Sequence, residues 1–128
     1  MIPARISSQN HMHSKPSSYK TGLFAEWWAR MYLRLHGFRI VATRYVTGRY
    51  TGRAEIDIIA RRGNLVVFVE VKSRQTIAAA WDAITPTQSR RLRAAAENYL
   101  ARNRLKCDAR FDVIIVIGRK IHWIRGAI

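Results

Sequence analysis

Acidic side chains are scarce in this sequence: 8 stand against 23 Lys and Arg, a formal charge of +15 over 128 residues. That much positive charge repels itself and calls for a polyanionic partner, with nucleic acid and an anionic membrane surface as the main candidates. Cysteine is nearly absent as well. The single Cys107 cannot close an internal disulfide and reads as an inert, partly buried thiol, so nothing points to an oxidising compartment. No apolar run approaches the ~20 residues that span a bilayer. The N-terminus has no uninterrupted apolar segment of the secretory kind. The expectation is a cytoplasmic protein without a membrane span. Acyl-transfer catalysis also lacks its parts, because no Ser-His-Asp or Cys-His arrangement is visible. His36 falls at a helix end and His122 on an edge strand, while His11 and His13 have no carboxylate nearby to complete a metal site.

What is present can fold. Hydrophobic residues make up 48% of the chain, and its length suits one domain. Residues 1–20 are polar, rich in Ser and without periodicity, so they read as a disordered tail ahead of a single domain at 21–128. In "TGLFAEWWARMYLRLHG", Leu23, Phe24, Trp27, Met31 and Leu35 follow helical spacing, with Thr21 or Gly22 at the start and Gly37 at the end. Strands are expected at 38–46, 54–60 and 65–72, separated by the glycine loop "TGRYTGR" and the turn "RRGN". Thr85 is a good N-cap and Pro86 fits the first position of a second helix, whose inner side carries Leu92, Ala96, Tyr99 and Leu100. Residues 110–118 are apolar on both faces, as a central strand should be, and 120–125 alternate like an edge strand. The expected fold class is α/β, in the order α-β-β-β-α-β-β, with one mixed central sheet flanked by helices. The tryptophans read as core, except Trp81, which falls in a loop.

Because acids are rare, their placement carries information. Glu55, Asp57 and Glu70 lie in two neighbouring apolar strands, and Lys72 follows Glu70 by two positions. Alternation puts Glu55 and Asp57 on one face and Glu70 and Lys72 on one face. A two-residue turn at Arg62-Gly63 would pair Arg61 with Asn64 and bring both pairs to the same side, whereas a slip of one residue would part them. A carboxylate cluster so placed could hold a hard divalent cation through oxygen. It could equally be a structural Glu70–Lys72 ion pair, with arginines serving the other acids. Spacing leaves both readings open.

The motifs resemble a known pattern. "EIDIIA" and "FVEVKSR", which give D-x(12)-E-x-K from Asp57 to Lys72, resemble the D…(D/E)xK signature of the restriction-endonuclease-like nuclease superfamily. With the opening "GLFAEWWARMYLRLHGF", the helix around "TPTQSRRLRAAAENYL" and "RFDVIIV", the chain is more closely similar to the YraN-like family of predicted endonucleases. That family is distantly similar to Holliday-junction resolvases. The resemblance covers roughly Gly22 to Ile128, and its five motifs occur in the expected order. It implies that Asp57 and Glu70, helped by the backbone carbonyl of Val71, ligate Mg2+ or Mn2+. Lys72 would orient or deprotonate the attacking water, and Glu26 would reach the same site through a water. By spacing, Glu26 could simply pair with Arg30 one helical turn on.

The chain departs from the family pattern in three places. Ile56 precedes Asp57 where many relatives of the superfamily have proline, Ala54 replaces a glycine, and Gln88 stands where many relatives carry lysine. Gln88 still falls on the sheet-facing side of its helix and could donate to a phosphate. Further substrate contacts are expected from Arg49 and Arg53 in the glycine loop and from Arg90, Arg93 and Arg104 on an outward sector of the second helix. The leading expectation is thus a metal-dependent DNA endonuclease acting on branched or flapped DNA, for which a homodimer would suit a junction. The alternatives are a non-catalytic nucleic-acid-binding module that keeps the nuclease fold, motivated by Ala54 and Gln88, and an anionic-membrane or scaffold protein.

Overall fold

The computed structural model describes residues 18–48 and 53–128. Helix α1 (Ser18–Leu35) leads into strands β1 (Arg39–Thr47), β2 (Ala54–Arg62) and β3 (Leu65–Ser73). A short helix α2 (Ile77–Asp82) and helix α3 (Pro86–Arg102) follow, then β4 (Asp108–Ile117) and β5 (Lys120–Ile124). The five strands form one mixed sheet in the order β1-β2-β3-β4-β5, in which only β3 and β4 run parallel. A parallel pair needs a crossover connection, and α2 with α3 supplies it. β3 and β4 lie inside the sheet between helices, which accounts for their unbroken Val and Ile runs. Among the described residues no helix is long and apolar enough to cross a membrane.

Each face of the sheet has its own core. On one face Ala25, Ala29 and Leu33 of α1 pack on Ile58, Ala60, Val67, Val69, Ile114 and Val116. On the other, Leu92, Ala95 and Ala96 of α3 cover Ile56, Ile59, Val66 and Phe68. Thr85 caps α3 as expected, its hydroxyl accepting from the Gln88 N–H at 3.1 Å. Gly37, at φ +86°, ends α1 while Phe38 N–H returns to the Leu33 carbonyl at 3.0 Å. This is the left-handed closing turn that glycine favours.

Four expectations need correction. The apolar stripe of α1 is not Leu23, Phe24, Trp27, Met31 and Leu35: the buried positions are Ala25, Ala29 and Leu33, and Leu35 is 76% exposed. Alanine carries little hydrophobicity, yet its small side chain lets the helix lie close on the sheet. α1 also starts at Ser18, running through Thr21 and Gly22, so Ser18–Lys20 are helical and only 1–17 of the expected tail lie outside the described residues. An exposed helix tolerates one interior glycine at a cost of about 1 kcal/mol. Trp81 sits in a helix rather than a loop, because Thr76 caps an alanine run, accepting from the Ala79 N–H at 3.1 Å. The β2–β3 turn, finally, is Gly63-Asn64, with Arg62 paired to Leu65 and Gly63 at φ +59°. Glycine suits the first central position of a two-residue hairpin, where arginine would be strained.

Candidate functional site

The corrected turn displaces the β2–β3 pairing by an even number of residues, so within the paired segment, residues 58–62 against 65–69, the side each residue faces is unchanged. Continued past the last paired residues, Ile58 and Val69, the observed register sets Asp57 across from Glu70. The ladder does not continue there. Val71 N–H instead donates to Asp57 Oδ2 at 2.8 Å. Strand alternation in β2 also resets at this point. Ile58 and Ala60 join the α1-side core, whereas Ala54, Ile56 and Ile59 join the α3-side core. On the neighbouring strand, Arg44 lies between the pairs Thr43–Ile58 and Tyr45–Ile56 and has φ +52°. For a residue with a Cβ that conformation costs roughly 1–2 kcal/mol. The hairpin is therefore bent and opened where its carboxylates sit.

The opening is a cleft of about 430 Å³ lined by Arg53, Ala54, Glu55, Asp57, Glu70 and the first turns of α3, including Thr85, Thr87, Gln88 and Arg91. Glu70 is 5% exposed, and its Oε2 accepts from Lys72 Nζ at 2.8 Å and from Gln88 Nε2 at 3.2 Å. Burial pushes the Asp57 carboxyl up to about 8. The Glu70 charge adds to this, the Val71 N–H opposes it, and the Glu26 and Lys72 charges act more weakly in opposite directions. Ionising Asp57 in this setting is costly, and a further cation in the cleft would offset that cost.

The donor set fits a hard divalent cation. Among the described residues Asp57 Oδ1 and Glu70 Oε1 accept no hydrogen bond, and no side-chain oxygen shut off from solvent lacks a partner, so both oxygens are open to solvent on residues that line the cleft. No group of three His, Cys, Asp or Glu side chains among the described residues forms a ready metal cage. Mg2+ does not need one, since it keeps most of its water and takes one or two protein carboxylates. In a β-strand the N–H and C=O of one residue point to the same side, so the Val71 carbonyl also turns toward β2.

The remaining expected residues divide. Glu26 pairs not with Arg30 but with Arg44, whose Nε and Nη2 reach its Oε1 at 3.2 and 3.1 Å, and it acts on Asp57 through its charge. Gln88 is in the cleft, bonded to Glu70. Arg53 lines the rim. Arg90 is not in the lining but donates at 3.2 Å to the hydroxyl of Thr87, which is, and the Arg93 guanidinium lies 5.0 Å from the centre of the Phe111 ring. Arg104 is beyond the end of α3, at φ +51°, so it does not share the helix sector expected for it. Arg49 lies outside the described residues. The residue missed by sequence reasoning is Arg91, which lines the cleft. Its signal was its position three after Gln88, on the same helix face.

Fold and cleft together define a mixed-sheet α/β protein with a carboxylate–lysine cluster where its β2–β3 hairpin opens. Residues 25–116 match the family model described as "Uncharacterised protein family UPF0102". The chain is 42% identical over 113 residues to the UPF0102 protein of Paramagnetospirillum magneticum, covering 82% of this chain and 88% of the relative. It is 47% identical over 102 residues to that of Bartonella bacilliformis, covering 78% and 80%. With the Brucella canis protein it shares 45% over 108 residues, covering 83% and 82%. The chain belongs to the UPF0102 family, the YraN-like family that its motifs resemble.

Proposed function

We propose that this protein is a metal-dependent nucleic-acid phosphodiesterase, with DNA as the substrate. One observation carries the reading: Asp57 and Glu70, acids that repel each other, both line an open cleft, and Lys72 is paired to Glu70 beside it. Asp57, Glu70 and the Val71 carbonyl would hold Mg2+ or Mn2+. Such an ion, when bound, supplies Lewis acidity toward a phosphoryl oxygen and a water of lowered pKa. The protein groups do the rest. Lys72, held at 2.8 Å from Glu70, places a compact positive charge where negative charge grows on the phosphate. Arg53 and Arg91 line the cleft and make no hydrogen bond, ion pair or ring contact with the described residues. They are available to flanking phosphates, contacts that give affinity with little sequence information.

Incubating the protein with linear and branched DNA, with and without Mg2+ or Mn2+, tests the proposal. Cleavage that needs the metal and disappears in Glu70→Ala supports it; equal cleavage by Glu70→Ala sinks it. A second reading has its own support, because Lys72 and Gln88 already occupy Glu70 Oε2. On that reading the cluster is a structural ion pair in a binding module. DNA would then bind in a salt-sensitive way, equally well to Asp57→Ala, and would not be cut under any metal.

A further inference from the structure

The outer face of α1 carries the side chains that hydropathy assigns to the core. Leu23, Phe24 and Trp27 are 37, 46 and 47% exposed. Ala25, Ala29 and Leu33 fix the inward direction. At 3.6 residues per turn Trp27 then lies about 160° from it, with Arg34 about 20° and Arg30 about 60° from Trp27. The rings are ordered among themselves. Phe24 and Trp27 are 6.1 Å apart with a 31° tilt, and Trp27 lies 6.0 Å from Trp28 with only 15° between their planes. Trp28 is itself anchored, its indole N–H donating to the Arg119 carbonyl at 2.9 Å across the fold. The sole acid of this helix, Glu26, is turned to Arg44.

We propose that this face binds unpaired nucleic-acid bases, which stack on Trp27 and Phe24 while Arg30 and Arg34 meet the adjoining phosphates. Pre-ordered flat rings beside cations, on a chain of charge +15, are the pattern of single-strand binding surfaces. Duplex DNA offers phosphates and groove edges but no free base face. An anionic membrane fits less well. Interfacial helices keep cations on the side opposite their apolar face, whereas here Arg34 stands beside Trp27 and the opposite side is buried on the sheet. Two-fold pairing with a second copy would bring the cations of one face against those of the other. Among the described residues no α1 side chain lines the cleft; the link from this face to it is Glu26, on the flank of α1, whose charge acts on Asp57. A substrate with a single-stranded arm would run from one to the other, and that placement alone rests on the phosphodiesterase reading.

The test uses the full chain without metal and a labelled oligo-dT strand. Phe24→Ala/Trp27→Ala weakens binding about tenfold or more while a duplex of equal length is bound as before. Trp27→Tyr retains most of the affinity and Trp27→Leu loses it, because the second keeps apolar bulk without a stacking ring. Both positions are exposed, and circular dichroism with a melting scan confirms that the variants fold. Four outcomes overturn the proposal. They are unchanged dT affinity in Trp27→Leu; equal binding of an abasic strand; loss confined to phosphatidylglycerol vesicles; and loss confined to self-association. Intact dT binding with no cleavage under any metal removes the phosphodiesterase reading alone. Metal-dependent cleavage with no stacking removes this one alone.

Discussion

Val71 gives its main-chain N–H to the Asp57 carboxylate at 2.8 Å, where the β2–β3 hairpin would otherwise continue its ladder. A side chain thus replaces a backbone acceptor, and the carboxylate is held beside Glu70 at the opening of the sheet. The arrangement is costly without a cation, and that cost can be measured.

Asp57 has its folded pKa raised from 3.8 to about 8, so across that interval the folded state keeps a proton that the unfolded chain has released. Stability therefore falls as pH rises through the window, and nothing is lost below it. Asp57→Asn keeps an oxygen for Val71 and carries no charge. Its metal-free melting temperature is expected to match wild type at pH 4 and exceed it by several degrees at pH 9. A wild-type pH slope that persists in the variant would place the strain elsewhere.

Mn2+ should raise the melting temperature of the wild type and leave Glu70→Ala and Asp57→Asn unmoved. At a hundredfold excess over Kd the stabilisation is about 2.7 kcal/mol. The ion must displace the Asp57 proton, so its affinity should strengthen from pH 6 to pH 8. Calorimetric titration at the two pH values reads both the affinity and the released proton.

Asp112 is a control for what a satisfied buried carboxylate looks like. It is 0% exposed, yet Arg110 binds both its oxygens at 2.8 Å, and the Trp123 indole and the Gly126 N–H add bonds at 2.9 and 3.0 Å. Burial pushes its pKa up, but these donors outweigh that and hold it below the ordinary carboxylate value. Its contribution is fully present above that ordinary value and is lost as pH falls from there through the lower folded value. Arg110→Ala strands the charge and should cost about 3 kcal/mol in urea unfolding at pH 7. A loss under about 1 kcal/mol would contradict the bonding described.

Arg91 and Arg93 separate a cleft cation from one resting on a ring. Arg91→Gln should lower the slope of log affinity against log salt for duplex DNA by about 0.9, the value of one phosphate contact. Arg93, over Phe111, should change the slope less. Equal slopes in the two variants would remove Arg91 from the binding surface.

Local chemistry was enough for much of this protein. The Val and Ile runs of β3 and β4, the Thr85-Pro86 helix start and the Gly37 stop each follow from what a few adjacent residues can do. The side each residue faces in the paired segment of β2 and β3 was legible too, because alternation has a period of two and the turn error was an even number of residues. The D-x(12)-E-x-K spacing and its neighbouring motifs pointed to the family. Packing settled the rest. Which stripe of α1 faces inward depends on how closely the helix can approach the sheet, and two alanines outcompete two aromatic rings for that contact. Arg44 rather than Arg30 takes Glu26, and Arg91 rather than Arg104 reaches the cleft, because these choices depend on distances between elements far apart in the chain. Periodicity reports which faces a segment has; only the assembled sheet decides what each face meets.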